Sequence, residues 1–197
     1  MHAGGSIDAA GAGSEPTGLM GLRPISPPSD NNHAADAQAA KKEEPMNTNA
    51  DAMDLELHKR FAVDLFNLVW ELLDQEDRTP EQEDRMIHAA HASRFHWGEI
   101  GTPLEFERGE WQISRVYAVL DRPQAAIYHA QRCLMLCEAN QIGDFDLAFA
   151  YEALARAYAV ADDAATSEEY VSLAEQAAEQ IEDEGNREYF LSELATV

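Results

Sequence analysis

Two stretches of this chain repeat each other 41 residues apart, and that self-similarity restricts the fold more than any other feature. Arg115-Val116-Tyr117-Ala118-Val119-Leu120-Asp121 aligns with Arg156-Ala157-Tyr158-Ala159-Val160-Ala161-Asp162, and upstream Ile113 and Ser114 align with Leu154 and Ala155. A period of this size marks stacked supersecondary units, each of which buries its apolar face against the next. The units are helical. Leu57, Phe61, Leu65, Leu68 and Leu72 recur at helical spacing. Thr79-Pro80 and Thr102-Pro103 each read as an N-cap followed by proline at the first helical position. Asp121-Arg122-Pro123 turns between two further helices. The spacing predicts helices over about 55–74, 80–97, 103–120, 124–139, 146–160 and 167–182, with a short last one after Gly185. Gly98 and Gly101 are expected to end the second, and Asn140 and Gly143 the fourth. No run alternates as a half-buried strand would. The expected fold is all-α, built of antiparallel helix pairs stacked as a short right-handed superhelix over residues 51–197.

Residues 1–50 read differently. Five of the eight prolines (Pro16, Pro24, Pro27, Pro28 and Pro45) stand among Gly, Ala, Ser, Asn and Asp, with few bulky apolar residues to offset the entropy of ordering. A disordered tail is expected there. It reads either as a tethering arm or as an over-long start, since Met46 and Met53 lie just before the first helix.

Within the repeat, the first helix of each unit carries a large apolar residue, then a small one, then Tyr: Ile113, Ser114 and Tyr117, matched by Leu154, Ala155 and Tyr158. The second helix carries small residues where the two would cross: Ala126, Ala130 and Cys133, then Ser167 and Ala174. Small residues let two helix axes approach, and the Tyr fills the space beside them. In these positions the chain resembles the tetratricopeptide repeat family over roughly residues 107–180, and the first two helices would form a further, degenerate pair. It departs from that family's pattern in three respects. The period exceeds the usual length of about 34, which points to an inserted loop around residues 140–144. Asp121 and Asp162 stand where Gly is expected, and the closing Pro is missing.

The resemblance implies a concave groove, lined by the first helices, that holds a peptide or protein surface. Trp111 and Glu152 occupy equivalent positions on that face, as do Arg115 and Arg156 one turn later. Trp111 would cover apolar partner side chains, while two guanidinium groups in line would select a carboxylate or an acidic segment. The competing reading pairs each Arg internally, Arg115 with Glu152 across the stack or Arg156 with Glu152 at i, i+4.

A second candidate site lies on the helix over 80–97. Asp84, His88 and His91 share one face there, opposite a packing face of Met86, Ala89, Ala90, Ser93 and Trp97. One carboxylate and two imidazoles so placed suit a divalent metal. A line of Asp64, Asn67 and Glu71 on the preceding helix could complete a site between helices. The alternative function is therefore a metal-binding helical protein or metal-dependent enzyme; the plainer reading is a solvated or hydrogen-bonded face. Cys133 and Cys137, at i, i+4, read as core fillers, half a metal site or a redox pair, with core filling preferred. No nucleophile elbow and no glycine-rich phosphate loop occur.

Charge narrows the partners. With 37 acidic against 14 basic residues the formal net charge is -23, and residues 51–197 carry most of the excess. Such a surface repels phosphate backbones and anionic bilayers, so neither nucleic acid nor a membrane is expected as a partner. From Asp162 onward Arg187 is the one Lys or Arg among many acids, which reads as a solvated outer face or as a docking face for a basic partner. No secretory leader is legible at the N-terminus, and the reading overall is cytoplasmic.

Overall fold

A computed structural model describes residues 48–197 and is all-α: α1 Thr48–Leu73, α2 Pro80–Ile100, α3 Pro103–Val119, α4 Pro123–Asn140, α5 Asp144–Val160, α6 Ala164–Ala178 and α7 Glu184–Leu194. Among the described residues there is no strand, and no helix is long and apolar enough to cross a membrane. The expected disordered tail lies outside the described residues for positions 1–47; residues 48–50 belong to α1.

The starts follow from local chemistry. Thr79 and Thr102 each cap a helix that begins with Pro, with Gln82 and Glu105 returning the hydrogen bond to the cap backbone. Asp163 and Asp183 accept from Thr166 N and Asn186 N at the starts of α6 and α7. α2 runs through Gly98 and stops only at Gly101, and Gly185 sits inside the first turn of α7. A single glycine weakens a helix by about 1 kcal/mol, too little to end one that is packed along its length.

The helices form antiparallel pairs, α1 with α2, α3 with α4 and α5 with α6, and each pair is bridged in the same way at its crossing. Ser93 Oγ donates to Ala62 O at 2.8 Å, Ser114 Oγ to Ala126 O at 2.9 Å, and Ser167 Oγ to Ala155 O at 2.8 Å. All six residues are buried. Ser114 and Ala126 stand 41 residues before Ala155 and Ser167, so the third bridge is the second with donor and acceptor helices exchanged. α3 and α5 lie parallel, as contacts between Arg108 and Asp146, Trp111 and Phe149, and Arg115 and Glu152 advance together along both.

The 41-residue period does not come from an inserted loop. α3 has 17 residues and α4 has 18, and each is followed by a connector of only three, 120–122 and 141–143. The extra length lies in the helices, because Asn140 closes the last turn of α4 and Gln141 supplies the left-handed residue after it (φ 56°).

One apolar cluster joins α3 to α7 around Trp111, Phe149, Leu154 and Phe190; a second joins α1, α2 and α3 around Val69, Met86, Ile113 and Val116. Tyr117 packs against both, and Trp70 of α1 meets Trp111 of the first cluster at 5.6 Å with the rings tilted.

Asp121 and Asp162 are left-handed, with φ of 54° and 58°. The turns around them match, Arg122 N donating to Tyr117 O and Asp163 N to Tyr158 O. A side chain there costs about 1–2 kcal/mol that glycine avoids, less the greater entropy glycine loses on folding. Asp121→Gly and Asp162→Gly are each expected to stabilise the protein by about 0.5–1 kcal/mol in urea unfolding; a loss of stability would mean that the carboxylate itself holds the turn.

Candidate functional site: buried carboxylates along α3 and α5

The inner face of α3 is interrupted by acids. Glu107 and Glu110 are 1% and 3% exposed, and Glu152, from α5, is 1% exposed. A carboxylate so buried must be neutralised or paired, and each of the three meets that demand differently.

Glu152 lies at the centre of the expected groove. Its Oε1 accepts from Arg156 Nε at 2.6 Å and from Arg115 Nη1 at 3.2 Å. Arg115 Nη2 also reaches Glu193 Oε2 at 3.0 Å. Arg156 Nη2 donates to Glu193 O and Thr196 Oγ1, and its Nη1 to Thr196 O. The two arginines thus do share a face, as the repeat register requires, and both are engaged. Behind Glu152 they grip the chain's own last turn, where α7 is anchored by the buried Phe190 and Leu194.

Trp111 does not present itself to a partner. It is 2% exposed, closed in by Trp70 of α1 on one side and Phe149 of α5 at 5.5 Å on the other. An indole on the inner face of a short stack is worth more inside the core than at its mouth.

Glu110 is held by two guanidinium groups and an imidazole. Arg94 Nε and Arg132 Nε stand 3.3 and 3.1 Å from Oε1, and His129 Nδ1 stands 2.7 Å from Oε2. Burial alone would raise its pKa, but the hydrogen bond from His129 and the charge of Arg132 outweigh it, and the carboxyl titrates below its usual range. Arg94 also lies over the Phe106 ring at 4.5 Å.

The histidine face of α2 is divided. Its opposite face, with Ser93 against Ala62, is the one packed on α1, so Asp84 and His88 are left exposed. His91 is exposed too but leans toward α3 and α4: Nε2 is 3.0 Å from Tyr117 Oη, and its ring is 5.3 Å from that of His129. On α1, Asp64 and Glu71 are exposed, and Asp64 pairs with Arg60. Asp84, His88 and His91 are therefore not gathered as metal ligands, and the expected site between α1 and α2 is corrected accordingly. α1 needs its Ala62, Phe66 and Val69 face for packing, which turns its polar line away.

Among the described residues, the group whose ligand atoms do converge is Glu107, Cys133 and Cys137, all buried, with one donor atom from each within 4.8 Å of the others. Cys133 Sγ lies 3.3 Å from Glu107 Oε1. Burial pushes the Glu107 carboxyl well up, reinforced by the charge of Asp146. It also pushes up the Cys133 thiol, with help from the hydrogen bond to Cys137. A thiol raised in this way is a poor nucleophile. The sequence reading missed Glu107, Glu110, His129 and Glu193. A usable signal was present in α3, where the acids at 107 and 110 fall one turn from Trp111 and Ile113 on the packed side rather than the wet one.

Fold and site together define an all-α stack of helix pairs with charged groups built into the contacts between neighbouring helices. No protein-family model matches the chain, and no curated protein or solved structure is significantly similar to it.

Two outcomes follow from this network. Arg115→Ala/Arg156→Ala strands a buried carboxylate and is expected to cost about 3–5 kcal/mol, while either single change costs clearly less than half of that, because the remaining Arg still pairs with Glu152. Chemical denaturation of the three variants checks both sums.

The second concerns pH. Burial, followed by the charge of His129, lowers the His91 pKa; burial, followed by His58, lowers that of His96. A lowered folded value means that the unfolded chain binds the proton first as pH falls through about 6.5, so stability is present above that pH and is lost below it. Glu110 adds a loss of the same sign at lower pH. The raised Glu107 carboxyl acts with the opposite sign, so the histidine contribution is read by difference: from pH 7.5 to 5.5 the urea midpoint of the wild type is expected to lose ground against that of His91→Gln/His96→Gln. An unchanged slope in the double variant would place the effect elsewhere.

Proposed function

We propose that this chain is a protein-interaction module of the tetratricopeptide-like kind, which takes an acidic segment of a partner onto Arg115 and Arg156. The observation that carries this reading is the way its own last turn sits there. A carboxylate, Glu193, lies on Arg115, and a backbone carbonyl and a hydroxyl, from Thr196, lie on Arg156. These are the groups that an acidic chain end or helix end would present. The guanidinium forks are already fixed from behind by Glu152, so a partner loses little side-chain entropy in meeting them. Because Trp111 is enclosed, recognition on this face is polar, with carboxylate pairing in place of an apolar anchor. The repeated helix pairs and the parallel α3 and α5 support the same reading through fold analogy. Two cysteines kept as buried thiols suit a reducing compartment, and we assign the module to the cytoplasm.

In this reading the last turn competes with the partner. Glu193→Ala/Thr196→Ala removes the internal occupant's side-chain groups, the carboxylate on Arg115 and the hydroxyl on Arg156, and leaves its backbone carbonyls, Phe190 and Leu194 in place. An array of synthetic peptides probed with the full chain is expected to show selection for Glu- and Asp-bearing peptides. The double variant should bind them roughly tenfold more tightly than the wild type, the scale of one charge-assisted hydrogen bond. Adding Arg156→Lys, which keeps the charge beside Glu152 and loses the fork, should reverse the gain. Binding that ignores peptide acidity, or that Arg156→Lys leaves unmoved, would overturn the reading.

A further inference from the structure

We propose that Glu107, Cys133 and Cys137 form a closed structural site for a zinc-class divalent cation that clamps α3 to α4. The two thiols stand one turn apart on α4 and face the same element, because Cys133 reaches Glu107 on α3 and Cys137 lies in the same convergent group. All three side chains are buried and their donor atoms lie within 4.8 Å of one another. Tetrahedral zinc, with bonds of about 2.3 Å to sulfur and 2.0–2.2 Å to oxygen, sets its donors roughly 3.5–3.8 Å apart. Closing the group onto an ion therefore needs movements of about 1 Å, within the reach of side-chain rotation on helices already in contact.

A second observation points to a cation rather than to filler. Glu107 Oε1 accepts from Cys133, while Glu107 Oε2 is buried with no hydrogen-bond partner. An oxygen left in that state costs about 1–3 kcal/mol or more; Glu152 Oε2 shares it but belongs to a carboxylate paired with two arginines, whereas Glu107 has only a thiol beside it. A cation bound by both sulfurs and chelated by the carboxylate uses every acceptor in a distorted four-donor shell, the two oxygens lying closer together than regular tetrahedral donors. The donor set selects the metal: two sulfurs favour zinc and its cobalt or cadmium surrogates, and exclude magnesium and calcium, which take oxygen alone. Binding as thiolates releases the two thiol protons, together with any proton that the carboxyl holds, to solvent. The remaining negative charge faces Arg108, which is itself fixed by a two-pronged pair with Asp146 at 2.7 and 3.1 Å. With no ligand at the surface, the site is suited to locking two helices rather than to turning over a substrate, and the ion would enter as the chain folds.

The full chain, unfolded and refolded with one equivalent of Co2+, is the test. The wild type is expected to show thiolate-to-cobalt charge-transfer absorption and the intense visible bands of a tetrahedral centre, both removed by equimolar Zn2+, and a raised melting temperature. Cys133→Ala/Cys137→Ala, in which small apolar side chains keep the core filled, should fold by circular dichroism and lose the charge-transfer band. Its affinity should fall by more than about 100-fold, beyond the effect of losing an outer partner. Glu107→Gln should keep the sulfur bands and bind more weakly. A refolded wild type that shows no band and no melting shift, or a double Ala variant that binds cobalt as well as the wild type, would overturn the proposal.

Discussion

The close approach of helices at three Ser–Ala crossings organises everything else in this molecule. Where Ser93 meets Ala62, Ser114 meets Ala126 and Ser167 meets Ala155, no side chain larger than a hydroxymethyl separates the backbones. The bridged carbonyl belongs to a residue inside a helix, so the Ser hydroxyl meets a group whose main demand is already satisfied and adds direction more than strength. With the crossings this tight, bulk must go to either side of them. Phe66, Trp111, Phe149 and Phe190 lie in the spaces between one pair and the next, and that is where the stack acquires its core. The exchange of donor between the second and third pairs shows what the repeat conserves physically. It conserves the size of the contact, and either helix can supply the hydroxyl.

Once bulk is displaced to the spaces between pairs, those spaces determine register, and here the chain uses charge. Arg108 with Asp146, and Arg115 with Glu152, join α3 to α5 at separations of 38 and 37 residues. Buried ion pairs return little net stability, because desolvation offsets most of their attraction, yet a shift by one residue would leave each charge unpaired in the core. Their weight is therefore against the wrong alignments. Apolar contacts such as Trp111 on Phe149 would tolerate a small slip far better.

This division explains what could be read in advance. The packing face of α2 (Met86, Ala89, Ala90, Ser93 and Trp97) is the buried set observed, because helical periodicity alone assigns it. The capped starts at Thr79 and Thr102 were equally legible. Trp111 was not. Periodicity places it one turn from Arg115, but whether that face is open depends on Trp70 and Phe149, which belong to other helices. The histidine face failed for the same reason: its three residues do share a side of α2, but α1 turns its apolar side toward α2 and its polar line outward. The docking of α7 had almost no periodic signal, since two buried residues, Phe190 and Leu194, hold it. The extra length of the repeat was assigned to a loop because Asn140 and Gly143 look like breaks, whereas the helix uses the first of them as its own last residue.

The last turn of the chain separates two kinds of contact that are usually merged. Phe190 and Leu194 fix α7 through apolar burial, while Glu193 and Thr196 meet the arginines through polar contacts at the edge of the stack. Apolar burial is insensitive to what water or a ligand offers in exchange, but a carboxylate on a guanidinium can be replaced by another carboxylate at little net cost. The polar contacts can thus exchange while the helix remains docked. Glu152 makes that exchange safe for the fold: buried behind both arginines, it keeps each of them oriented and partly satisfied whichever carboxylate lies in front. Under the proposed function, such a face is stable when α7 and the residues after it occupy it, and it would lose only the difference between two similar pairings when a partner took their place.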